Sequence, residues 1–201
     1  MTDYPIIFST PMVQAILGGV KTQTRRIAKL NAAGRVARKG KNWHPDDPEA
    51  ILACPYGQPG DQLWVRETWN ADVPEIVYKA DMGTRYLDED HPHYMDLLRL
   101  DLLRLYDKQI GGWRPSIHMP KWAARIHLRI TMVRLQRLQK ISFEDAKNEG
   151  VEFWRSTETL KGLPACACHY YEFEDLWAHI NGRDSWNLNP LVWTLDFEVE
   201  K

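Results

Sequence analysis

Over residues 125–132 the chain alternates without interruption. Ile126, Leu128, Ile130 and Met132 point one way, and Arg125, His127, Arg129 and Thr131 the other. A period of two is the mark of a half-buried β-strand, here with one apolar face and one polar, basic face. At Val133 the phase reverses, which predicts a bulge or bend. Alternation also marks strands at 62–69, after a Pro-Gly turn, and at 191–199. Residues 4–8 and 75–81 suggest two more, the latter in hairpin relation to 62–69. Short helices fall between them. One starts at Thr10-Pro11 and is closed by Gly18-Gly19. Another starts with Ser142 and Asp145 in capping-box spacing and ends at Gly150. A third carries Phe173, Leu176, Trp177 and Ile180 on one face and ends at Asn181-Gly182. These elements do not alternate as βαβ units, so the pattern predicts an α+β fold built on a small β-barrel with short peripheral helices and insertions.

Two segments interrupt the pattern. Residues 28–60 read as a long, basic, Gly- and Pro-broken loop, beyond the usual connection length. Residues 82–112 read as an insertion carrying Asp96-Leu-Leu-Arg-Leu and Asp101-Leu-Leu-Arg-Leu in tandem. A five-residue period matches neither 3.6 nor 2, so these leucines spread round a helix instead of forming one stripe.

With 201 residues the chain is long enough to bury a real core in one domain, 1–201. It has no apolar run of about 18 residues, which argues against a membrane span. Its first residues lack the basic and long apolar regions of a secretory signal. Three cysteines, an odd number, argue against a disulfide framework and for a reducing, cytoplasmic setting. Nine tryptophans serve either core packing or the stacking of bases.

A formal net charge of −1 hides a strong segregation. Between Asp3 and Asp46 there is no acid, but there are Lys21, Arg25, Arg26, Lys29, Arg35, Arg38, Lys39 and Lys41. Between Asp107 and Glu144 there is again no acid, with Lys108, Arg114, Lys121, Arg125, Arg129, Arg134, Arg137 and Lys140. Either these stretches make a positive face that attracts polyanions, or they pair internally with the acids elsewhere.

The densest chemistry lies in Gly19-Val-Lys21-Thr-Gln-Thr24-Arg25-Arg26, with an amine, two hydroxyls and two guanidiniums within eight residues. It suits either a solvated anion-binding turn or catalysis with Lys21 as base, Thr24 as nucleophile and Arg26 as an electrostatic group. Catalysis needs Lys21 to lose its proton, which burial and neighbouring guanidiniums promote. It also needs a turn between Lys21 and Thr24, because positions i and i+3 of a straight strand face opposite sides.

Gly19-x-Lys21-x-x-x-x-Arg26 fits the signature of the ASCH domain family. The order of parts is similar too, with a Pro59-Gly60-Asp61 turn into a strand and a late short helix. The segments FSTPMVQAIL, KTQTRR, PYGQPGDQLWVRETW and WRPSIHMPKWAARI resemble the longer ASCH proteins of phages and prophages. The resemblance implies a PUA-like β-barrel, with insertions at 30–50, 82–110 and 153–170. It implies recognition of a modified nucleoside or RNA. By likeness to the small N4-acetylcytidine amidohydrolases, it also implies removal of an N4-acyl group from cytidine. Lys21 and Thr24 match two of the three proposed catalytic residues of those enzymes, and the helix end DAKNEG nominates Glu149 for the third. A Glu there lies near the negative end of the helix dipole, which suits an acid–base role. No metal or cofactor is implied. The alternatives are a non-catalytic RNA- or DNA-binding module and a ribonuclease.

Arg66, Glu67 and Trp69 fall at a strand end where a barrel pocket would open, and are candidates for substrate binding together with His118. Lys121 is a further candidate, and Trp113 and Trp122 offer rings for stacking or for the core. Cys166, Cys168 and His169, with Cys54, form a soft-ligand cluster whose spacing lacks the second half of a zinc site. No phosphate-binding glycine loop, HExxH or nucleophile-elbow motif is present.

Overall fold

The computed structural model describes residues 1–106, 112–151 and 165–200. In chain order the elements are β1 (Asp3–Ile7), α1 (Thr10–Leu17), β2 (Gln23–Ile27), β3 (Val36–Arg38), β4 (Lys41–Trp43), β5 (Gln62–Arg66), β6 (Trp69–Asp72), β7 (Glu75–Tyr78), β8 (Thr84–Tyr86), α2 (Tyr94–Tyr106), β9 (His127–Arg137), α3 (Phe143–Asn148), α4 (Ala165–Asn181) and β10 (Leu191–Val199). The architecture is α+β.

The central sheet runs β1-β5-β9-β10-β2. β1 is parallel to β5, and the other pairs are antiparallel. Among the described residues no ladder joins β1 to β2, so the expected barrel is not closed by backbone hydrogen bonds. The two edges nevertheless come together. Arg26 on β2 donates from Nη2 to the Ile7 carbonyl of β1 at 2.6 Å, and its guanidinium lies 5.1 Å from the Phe8 ring centroid. Inside the curl lie Ile6, Leu63, Val65, Ile126, Leu128, Ile130, Leu195 and Phe197, all buried. Each such aliphatic side chain contributes roughly 1.5–3 kcal/mol on burial.

The strand expected over 125–132 is present from His127 onward as the start of β9, and its phase reversal has a defined cause. Asp196 pairs with Met132 while Phe197 pairs with Ile130, which leaves Thr131 as the extra residue of a bulge. Met132, expected with the inward set, is therefore 51% exposed, and Val133 returns to the core.

Three other expectations are corrected. The 75–81 strand meets the 62–69 run only at its end, through the Trp69–Tyr78 pair and the Lys79 N–H to the Thr68 carbonyl, and does not pair with β5. The chain bends at Glu67-Thr68, and β7 joins β6 and β8 in a separate three-stranded sheet. That sheet has its own core of Trp69, Ile76, Tyr78, Leu87, Leu97, Met119 and Ala123. Burying Trp69 there and Leu63 in the central sheet requires the bend. Second, 28–60 is not an open loop: β3 and β4 form a ribbon, followed by a 3-10 turn (Pro48–Ala53). Val36, Ala50, Ala53 and Cys54 belong to the main core. Third, Ser9, not Thr10, is the N-cap of α1, with Pro11 in the first turn.

The 96–105 repeat lies in α2, which buries Leu97 and leaves Leu102 and Leu103 exposed, so its leucines do spread round the helix. A third core of Leu138, Ile141, Ala146, Val151, Phe173, Leu176, Trp177, Trp186 and Val192 holds α3 and α4 against the sheet. Most of the 153–170 segment lies outside the described residues.

Candidate functional site

The turn after α1 positions Lys21. Gly19 adopts φ +71°, and the amides of Val20 and Lys21 both donate to the Ala15 carbonyl. The chain thus folds back before β2 begins at Gln23, supplying the turn that Lys21 needs. On the far side, the capping box of Ser142 and Asp145 starts α3, and Glu149 caps its C-terminus. Gly150 follows at φ +77°. A Cβ there would lie 2.9 Å from both Ala15 Cβ and Lys21 Cβ, so only glycine lets the two turns pack this closely. Thr22 donates to the Asn148 carbonyl at 2.9 Å and fixes their register.

Lys21 is 1% exposed. Its Nζ meets three acceptors at 2.8 Å: the Gln23 carbonyl, the Glu149 carbonyl and Glu149 Oε2. Two proton arrangements satisfy this geometry. An ammonium gives three protons, or an amine gives two to the carbonyls and accepts one from a protonated Glu149. In neither is a lone pair open toward Thr24, and no hydrogen bond joins Nζ to the Thr24 hydroxyl. Burial lowers the Lys21 pKa from its ordinary value. Glu149 opposes that shift, and Arg26 and Arg25 add to it.

Glu149 is held from its other oxygen by Arg25, whose Nη1 donates to Oε1 at 3.0 Å. Arg25 Nη1 also reaches Gln23 Oε1 at 2.5 Å, and Nη2 reaches Asp145 Oδ2 at 3.0 Å. Gln23 Nε2 donates to Asp145 Oδ1 and to Asp196 Oδ1, and Arg134 bridges the same two carboxylates. Burial pushes the Asp145 carboxyl up, but its bond from Gln23 and the charges of Arg25 and Arg134 outweigh that and hold it below its usual value.

A cavity of about 140 Å³ opens beside this network, well below the roughly 300–1,000 Å³ of drug-sized sites. Thr24, Arg26, Tyr56, Glu149, Phe173 and Trp177 are among its walls. Burial raises the Tyr56 phenol, with Arg26 opposing. The buried indole N–H of Trp177 meets no acceptor among the described residues. The wall thus combines aromatic side chains with those of a threonine, an arginine and a glutamate.

The structure brings together Lys21, Thr24, Arg26 and Glu149. It does not bring Arg66, Glu67, Trp69 or His118 to this cavity. Arg66 donates to the Met119 and Ile117 carbonyls and lies over Trp64. Glu67 is buried in a two-pronged pair with Arg125, which also holds Asp81; burial raises its pKa and Arg125 opposes. Trp69 is wholly buried, edge-on to Trp122 at 6.3 Å. His118 ends an exposed 3-10 turn beside Trp113. Trp122 stacks on His93, and Lys121 pairs with Asp3. Cys54 is buried with its thiol pushed up to about 11 by burial. The side chains of Cys166 and Cys168 lie outside the described residues, among which no group of three or more His, Cys, Asp or Glu is placed to hold a metal.

Sequence reasoning missed Arg25 as the second tie to Glu149, Asp145 as its partner, and Tyr56 and Trp177 as walls. One signal was available: Asp145 and Glu149 are four apart at the end of a short helix and share a face. No family model, no curated protein and no solved structure matches this chain.

Proposed function

We propose that the chain is an ASCH-type protein of PUA-like fold whose cavity holds a cytosine-like base and hydrolyses an acyl group from its exocyclic nitrogen. The observation that carries this reading is the burial of Lys21 against Glu149 at the wall of a ring-sized cavity that Thr24 also lines. Aromatic faces at Tyr56, Phe173 and Trp177 suit a flat base. The Arg26 guanidinium suits an acyl oxygen. The buried free thiol of Cys54 suits a reducing, cytoplasmic setting.

In the proposed reaction the extra proton of Lys21 passes to Glu149 across their 2.8 Å contact. The freed amine turns to Thr24 and accepts its hydroxyl proton as the Thr24 oxygen attacks the amide carbon. Arg26 stabilises the oxyanion. Glu149 gives its proton to the departing exocyclic nitrogen, and the C–N bond breaks to leave the free amine and acyl-Thr24. Water, deprotonated by Glu149, then attacks the ester. The Thr24 oxygen leaves with the proton held on Lys21, and the proton on Glu149 returns to Lys21. The net change is amide plus water to acid plus amine.

The test is acid release from N4-acylcytidines of graded chain length by wild type, Lys21→Ala and Glu149→Gln. Release by wild type that falls at least a hundredfold in both variants supports the reading. A folded wild type that releases nothing from any of them overturns it.

A second reading, a non-catalytic RNA- or DNA-binding module, is favoured by one observation. All three hydrogen-bonding positions of the Lys21 nitrogen are filled within the protein, as in a purely structural pair. It predicts binding with steep salt dependence and no turnover. A ribonuclease would instead cut RNA without releasing acid.

A further inference from the structure

The tandem Asp96-Leu-Leu-Arg-Leu and Asp101-Leu-Leu-Arg-Leu takes no part in the cavity. Its helix, α2, turns one face inward. There Leu97 is wholly buried in the core of the three-stranded sheet, and Tyr94 and Leu100 pack against that core. The opposite face is apolar as well. Met95, Leu98, Leu102 and Leu103 stand on it at helical spacing, with Arg99 among them, and the five surround a hollow of about 280 Å³. Met95 is 69% exposed, Leu103 53% and Leu102 46%. Single apolar side chains on a surface are ordinary, whereas a row of them along one helix face marks a contact.

The charges on this face say what covers it. Arg99 is exposed and makes no ion pair among the described residues. Asp96, three residues earlier, is exposed too, with Oδ2 at 3.1 Å from His93 Nδ1. The turn before the helix adds Asp88, Glu89 and Asp90, all exposed. Acids so placed repel anionic lipid and other polyanions. An occupant must instead bring apolar side chains, an acid for Arg99 and a cation for Asp96. The outer face of α2 carries all three.

We infer that this face is the contact between two copies of the chain, whose α2 helices pack antiparallel about a two-fold axis near positions 98 and 99. Charge sets the orientation. In a parallel pair Asp96 would meet Asp96, and Arg99 would meet Arg99. In the antiparallel pair Met95 of each copy packs on Leu102 of the other. Arg99 of each copy reaches Asp96 of the other, because three residues of helix span only about 4.5 Å. The contact is isologous, so every such pair occurs twice. One helix face is smaller than the roughly 800 Å² per partner of a standard interface, so the dimer assembles at micromolar concentration and above. The inference does not depend on what the cavity binds.

The test is sedimentation velocity of the whole chain from about 1 to about 500 µM. The wild-type mass is expected to rise toward twice that of the monomer. Leu102→Glu/Leu103→Glu stays monomeric throughout. Arg99→Asp and Asp96→Arg each raise the dissociation constant about tenfold or more, by setting like charges against each other. An equal mixture of those two variants recovers the wild-type constant to within about threefold, because each then supplies the charge that the other needs. The mixture separates a lost charge pair from a damaged helix, since two damaged helices do not restore one another. A wild type that stays monomeric at the highest concentration overturns the inference and leaves the face to a different protein. A dimer unaffected by Leu102→Glu/Leu103→Glu overturns it by placing the contact elsewhere. Single charge variants that dimerise as wild type does, or a mixture no stronger than its components, overturn it as well.

Discussion

Lys21 Nζ and Glu149 Oε2 meet at 2.8 Å across 128 positions of sequence, both side chains nearly dry. Breaking a buried pair from one side leaves a charge without its partner, at about 3–5 kcal/mol. Lys21→Met is therefore expected to lower unfolding free energy by about that amount. Lys21→Met/Glu149→Gln is expected to lose less than the sum of the two single changes. Urea denaturation of the four proteins in the cycle measures the coupling, and additive losses would show that the contact carries no energy.

The pH dependence of stability follows from two groups. Lys21 has a lowered pKa in the folded state. Just below the ordinary value of 10.5 the unfolded chain therefore holds more protons than the folded one, and stability rises with pH toward that value. Asp145, also lowered, contributes stability that is full above its ordinary 3.8 and is lost as pH falls through its folded value. Lys21→Met should flatten the alkaline slope, and Asp145→Asn the acid one. Denaturation midpoints at graded pH check both.

Gly150→Ala should be severe for so small a change. It forces a left-handed residue other than glycine, roughly 1–2 kcal/mol, and drives a methyl against Ala15 and Lys21, roughly 1–3 kcal/mol more. A thermal midpoint lowered by many degrees is expected. Gly34→Ala, also at positive φ but with open space around it, should lose only the conformational part.

Trp177→Phe keeps a ring in the cavity wall and removes the unpartnered N–H. If that donor meets the base, affinity for cytidine should fall about five- to tenfold, one neutral hydrogen bond, with stability nearly unchanged. Unchanged affinity would place the donor outside the recognition set.

What the sequence reveals and what it hides differ by range. The alternation up to Ile130, the Ser142–Asp145 capping box and the Gly150 stop are local, and each appears in the structure. Lys21, Thr24 and Arg26 were legible together as candidates in one local run, but Glu149 was nominated only through the family resemblance, because no local period links position 21 to 149. Partner choice was not legible. The 75–81 strand pairs with β6 and β8 and not with β5, because a bend at Glu67-Thr68 serves two cores, and two cores cannot be told apart in one alternating run. Arg66, Glu67 and Trp69 looked like one cluster on a strand end. The bend sends Trp69 into the second core, while Arg125 secures Glu67. Charge segregation was plain in the sequence, but only coordinates show which cations meet acids, as Lys21, Arg25, Lys121, Arg125, Arg129 and Arg134 do.

Arg26 has one further consequence. It spans the gap between the two free sheet edges at the Ile7 carbonyl and also walls the cavity. The seam of the curled sheet is thus a side chain facing the cavity, not a ladder of main-chain bonds. A guest that recruits that guanidinium loosens the seam, and one that leaves it in place tightens it. Amide exchange along the two edges is therefore expected to report occupancy of the cavity.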